Sequence, residues 1–61
     1  MNTVELFAKY GVGIARVLKD LRNSGVKYYP VTRVDGGWRI EMEDHPIVSY
    51  LVLKFGLEMN K

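Results

Sequence analysis

The chain's one histidine, His45, stands beside Asp44 and shortly after Glu41 and Glu43. Placed in a pocket, such a grouping shuttles protons or holds a metal ion. Either chemistry asks for more than proximity, because a paired acid and base need environments that drive two pKa values apart. Glu41 and Glu43 share the outward face of an expected strand, and Asp44-His45-Pro46 reads as a turn, so no such pocket is implied. Ser24 and Ser49 sit in no nucleophile motif. Gly11 and Gly13 fall inside an expected helix instead of a phosphate-cradling loop between strand and helix. There is no cysteine to supply a thiolate. The expectation is a protein that is not an enzyme, with no catalytic residue, no metal site and no cofactor.

A second grouping sets Lys27, Arg33 and Arg39 among Tyr28, Tyr29 and Trp38. Cations interleaved with stacking rings are what single-stranded nucleic acid requires. Asp35, Glu41 and Glu43 interrupt the patch, and a net charge of +2 is spread over the whole chain without a stripe of one sign. Nucleic-acid binding through Lys27, Arg33, Trp38 and Arg39 is therefore the alternative reading.

The elements that must position these residues begin with an amphipathic helix expected over Thr3 to Asn23. Leu6, Phe7, Tyr10, Ile14, Val17, Leu18 and Leu21 cover about a third of its wheel. Thr3 reads as its N-cap, Gly25 as its stop, and Arg22 suits its last turn. Gly11 and Gly13 cost about 1 kcal/mol each in a helix, a penalty the continuous stripe is expected to overcome. Next comes a hairpin from Tyr28 to Glu43 about Asp35-Gly36-Gly37, in which Trp38, Ile40 and Met42 alternate with Arg39, Glu41 and Glu43. A type I′ turn at Asp35-Gly36 sets Tyr29 and Val31 against Met42 and Ile40, with Arg33 beside Trp38. A longer loop reverses those faces, and Pro30 marks an edge.

Ile47 to Met59 is nearly all apolar and fits both periods. As a strand it places Ile47, Leu51, Leu53, Phe55, Leu57 and Met59 on one face and Val48, Tyr50 and Val52 on the other. As a helix it leaves Leu53 and Leu57 towards solvent. With its Val, Ile, Tyr and Phe content the segment reads as a third strand. The fold class is then α+β, an N-terminal amphipathic helix packed on a three-stranded antiparallel β-meander (α-β-β-β), in a single domain over residues 1–61.

With 61 residues, such a chain buries roughly 60% of its unfolded surface, and no disulfide supports it. A composition of 48% hydrophobic and 26% charged residues is that of a folding protein. One helix covers one face of the sheet, so Tyr28, Val48, Tyr50 and Val52 emerge as apolar residues on the other, and an uncovered apolar face asks for a partner. The resulting expectation is a small protein-interaction module that self-associates as a homodimer or binds a protein partner. It is expected to be cytoplasmic and to have no membrane segment.

The run Val31-Thr32-Arg33-Val34-Asp35-Gly36-Gly37-Trp38-Arg39-Ile40-Glu41-Met42-Glu43, with Ala15 to Leu21 before it, resembles the helix-plus-hairpin of gas vesicle accessory proteins over less than half the chain. That resemblance implies an assembly role. It stops at Asp44-His45-Pro46, where the family continues through a longer acidic connection and a Tyr/Arg-rich tail.

Overall fold

The computed structural model describes residues 2–60. In chain order it forms strand β1 (Thr3–Lys9), a short 3-10 turn (Tyr10–Val12), helix α1 (Ile14–Ser24), β2 (Thr32–Val34), β3 (Gly37–Glu43), helix α2 (Ile47–Phe55) and β4 (Glu58–Asn60). The strands make one sheet in the order β2-β3-β1-β4, with every neighbouring pair antiparallel. This β-α-β-β-α-β order, with β3 inserted between β1 and β2, is the ferredoxin-like, split βαβ topology.

The α+β class stands, but the expected helix followed by a three-stranded meander is overturned. The long N-terminal helix is replaced by a strand, a turn and a shorter helix. Thr3–Lys9 also carries a period of two: Val4, Leu6 and Ala8 turn inward, and Leu6 and Ala8 are fully buried. Pairing with β3 along all of β1 and with β4 at Glu5, Leu6 and Phe7 satisfies its backbone on both sides. The break comes at Gly13, whose φ of 87° lies in the left-handed region where L side chains are strained. The glycine penalty thus prevails over the stripe, and Thr3 caps no helix. The C-terminal half of the expectation matches: α1 ends at Ser24, and the Gly25 N–H donates to the Arg22 carbonyl at 3.2 Å.

The hairpin closes through Asp35-Gly36, pairing Val34 with Gly37, Arg33 with Trp38 and Thr32 with Arg39. Of the two turn residues only Gly36 takes a positive φ, so the turn has the sign pattern of type II and not of type I′. Further along, Tyr28 and not Tyr29 bridges Met42. Tyr29-Pro30-Val31 holds one residue more than the facing strand, a bulge at the proline that has no N–H to give. Gly37 is required for a separate reason: a Cβ there would collide with the backbone of Ala8 and Lys9.

The third expected strand is helix α2. It is preceded by Pro46, the N-cap, whose ring-fixed φ is already helical, and is capped at its end by Gly56. It carries the chain from β3 back to β4 on the far side of β1. Both helices pack on the same sheet face, where Leu6, Ala8, Ile40 and Met42 meet Val17 and Leu21 of α1, Val48 and Leu51 of α2, and Val26 and Leu57. Burying each larger aliphatic contributes about 1.5–3 kcal/mol.

Candidate functional site

The two helices have matched inner faces and unlike outer ones. On α1 the outward positions are Ala15, Arg16, Lys19, Arg22 and Asn23. On α2 they are Ser49, Tyr50, Leu53 and Lys54. Tyr50 is 51% exposed and Leu53 is 85% exposed, the highest value among the large hydrophobic residues described. Three residues apart on a helix, they are neighbours on its surface. A helix apolar on all sides is expected to be covered on all sides, whereas one side of α2 faces solvent.

Lys54 borders this ridge and is anchored to α1. Its Nζ lies 2.9 Å from Asp20 Oδ2 and sits over the rings of Tyr50 and Phe55 at 5.3 and 5.2 Å. Interaction with Tyr50 and then Asp20 raises its pKa above the ordinary lysine value. Beside the ridge lies an open depression of about 410 Å³ lined by Asp44, His45, Pro46, Val48, Ser49 and Met59. Pro46 and Ser49 join it to Tyr50 and Leu53 along the same helix, and Met59, 43% exposed, forms its other side.

Of the four expected interface residues, the structure leaves Tyr50 outward. Val48 is buried at 3% exposure, Val52 packs against the core, and Tyr28 does the same while its hydroxyl accepts from Arg22 Nε at 3.2 Å. Leu53, Met59 and Pro46 were not among the expected residues. The hidden signal was the helical period of Ile47–Phe55, which turns Leu53 outward beside Tyr50.

The basic hairpin residues separate. Arg39 lies on the open sheet face, 3.6 Å from Glu5 Oε2. That face also carries Glu41, opposite Glu5, together with Glu43 and Glu58. Arg33 and Trp38 lie on the helix side, and Lys27 sits over the Tyr29 ring at 5.8 Å near the opposite end of the hairpin.

The imidazole of His45 and the carboxylates of Glu41 and Glu43 beside the Asp44 turn have structural partners. His45 Nδ1 accepts from the Ile47 N–H at 3.1 Å, covering one open donor of α2. Glu43 accepts from the Lys27 N–H at 3.1 Å, and Glu41 from the Thr3 hydroxyl at 3.5 Å. Among the described residues no polar side chain is buried, no trio of His, Asp or Glu is arranged to hold a metal, and no helix is long and apolar enough to cross a membrane.

No protein family, no curated protein and no solved structure matches the chain. The partial resemblance to gas vesicle accessory proteins therefore gains no support, and the reading of function rests on geometry.

Proposed function

We propose that this protein is a small non-enzymatic interaction module that self-associates through the outer face of α2. The observation that carries the reading is the exposed Tyr50–Leu53 ridge on a helix whose other sides are covered. A second copy is the occupant that suits this face best. Ridge and depression adjoin on one helix, so a two-fold pairing seats the ridge of each copy in the depression of the other. Antiparallel packing of the two α2 helices also sets opposite dipole ends together and brings Lys54 at one end towards Asp44 before the other.

Size makes a further demand. A standard interface takes about 800 Å² per partner, about a fifth of the 4226 Å² of accessible surface here. The ridge is too small alone; Pro46, Ser49 and Met59 extend it, and the remainder of such an interface has to come from the surface around them.

Light scattering over a dilution series tests the proposal, with circular dichroism confirming the fold of each variant. The native chain is expected as a dimer that dissociates on dilution. Leu53→Lys and Tyr50→Glu are expected as folded monomers at every concentration. A native chain that stays monomeric at the highest concentration, or a Leu53→Lys dimer as tight as the native one, contradicts the proposal.

A further inference from the structure

At the end of the sheet where β1 gives way to the Tyr10–Val12 turn, Arg33 and Trp38 face each other across the hairpin. The Arg33 guanidinium lies over two rings, 5.5 Å from the centroid of Tyr10 and 5.8 Å from that of Trp38. The rings themselves meet edge to face, 5.8 Å apart at 87°. Arg33 Nε donates to the Tyr10 hydroxyl at 3.1 Å, and that hydroxyl donates to the Val34 carbonyl at 3.2 Å. Aromatic contact and a chain of hydrogen bonds thus hold the guanidinium in one orientation.

Among the described residues the ion pairs belong to Arg39 and Lys54, and no carboxylate pairs with Arg33. Nε is the nitrogen that Tyr10 engages, so the Nη groups remain for a ligand, and the Tyr10 contact raises the guanidinium pKa further. Lys9 precedes Tyr10 in the chain and adds positive charge, against Asp35 in the hairpin turn.

We propose that Tyr10, Arg33 and Trp38 form a binding site for a nucleotide unit, whose phosphate is taken by the Arg33 Nη groups and whose base stacks on the exposed Tyr10 ring. A carboxylate ligand engages the guanidinium and leaves the rings idle, whereas a nucleotide uses both the fork and the flat surface. A nucleic-acid strand held here follows the hairpin edge, because Glu5, Glu41, Glu43 and Glu58 repel phosphate from the open sheet face. Base stacking on an aromatic side chain contributes about 1–3 kcal/mol. The site is separate from α2 and does not depend on self-association.

Trp38 is the chain's one tryptophan, so its fluorescence reports on the site directly. The probes are uridine monophosphate, a short oligouridylate and inorganic phosphate. Saturable quenching by the nucleotides, weakening as salt is added, is the expected result. Tighter binding of the oligonucleotide assigns a strand as the ligand, and equal binding assigns a free nucleotide. Arg33→Ala and Tyr10→Leu are each expected to weaken binding by about tenfold or more. Arg33→Lys keeps the charge without the planar fork, recovers only part of the affinity and serves as the reading should Arg33→Ala fold poorly. Leu53→Lys is expected to bind as the native chain does. Absent quenching, affinity unchanged in the Arg33 variants, or inorganic phosphate binding as tightly as uridine monophosphate overturns the proposal.

Discussion

Helices α1 and α2 rest on the same sheet face and contribute comparable inner residues, Val17 and Leu21 from one, Val48 and Leu51 from the other. Their outer faces diverge. The outer face of α1 is charged and suited to water; that of α2 offers Tyr50 and Leu53, with one lysine anchored to Asp20 at its border. Packing within the fold accounts for both inner faces and for the outer face of α1, but not for an aliphatic side chain left 85% exposed. The difference separates what holds the domain together from what is available to a partner.

The largest expected effects fall on the inner faces, where the helices are alike. Leu21→Ala and Leu51→Ala each remove a fully buried side chain and are expected to cost about 2–5 kcal/mol, measured by urea denaturation at a concentration where the native chain is monomeric. A loss confined to one of them breaks the equivalence.

The outer faces come next, and here the helices are expected to part. Lys19→Ala on α1 and Leu53→Lys on α2 both change exposed positions, so each alters monomer stability by less than about 0.5 kcal/mol. Only Leu53→Lys is expected to alter the dependence of the melting temperature on concentration, because only it disrupts the proposed association.

The smallest expected effect is alkaline. The Lys54 pKa is raised in the folded chain, so the bridge between the helices is fully present below the unfolded lysine value and is lost as pH rises through the folded one. A shallow stability loss at high pH, absent in Asp20→Asn with Tyr50→Phe, checks the sign. Because the pair is exposed and screened, added salt is expected to reduce it.

The two helices also differed in how far their sequence betrayed them. The end of α1 was legible because its signals are local: a charged and apolar face at period 3.6, then Gly25. The place of the hairpin turn was legible for the same reason, from Asp35-Gly36, but not its type or the register beyond it. Thr3–Lys9 reads equally as a helix edge or a strand, and the choice is made by β3, some thirty residues away, along with the break at Gly13. In Ile47–Phe55 almost every residue is apolar, so both periods fit. Outward placement of Leu53 argues against a helix only if the chain has nothing to cover it. The feature that obscured the helix is the one that marks the candidate surface.

The side site shows the same division. Arg33 beside Trp38 follows from the turn, whereas Tyr10 fits a helix seam in the sequence pattern and reaches Arg33 only because the chain turns at Tyr10–Val12. Arg39 groups with Arg33 by proximity in sequence, although alternation along strands β2 and β3 sends the two to opposite faces.

Because the chain has no cysteine, single cysteines placed on the two outer faces test the central claim most directly. Ser49→Cys on α2 and Lys19→Cys on α1 are oxidised side by side at the same concentration, and disulfide-linked dimers are followed over time. Rapid cross-linking of Ser49→Cys, slowed by dilution and by added Leu53→Lys, with little from Lys19→Cys, is the predicted result. Equal rates for the two variants, or no cross-linking through Ser49→Cys, contradict the account of α2 as the self-associating face.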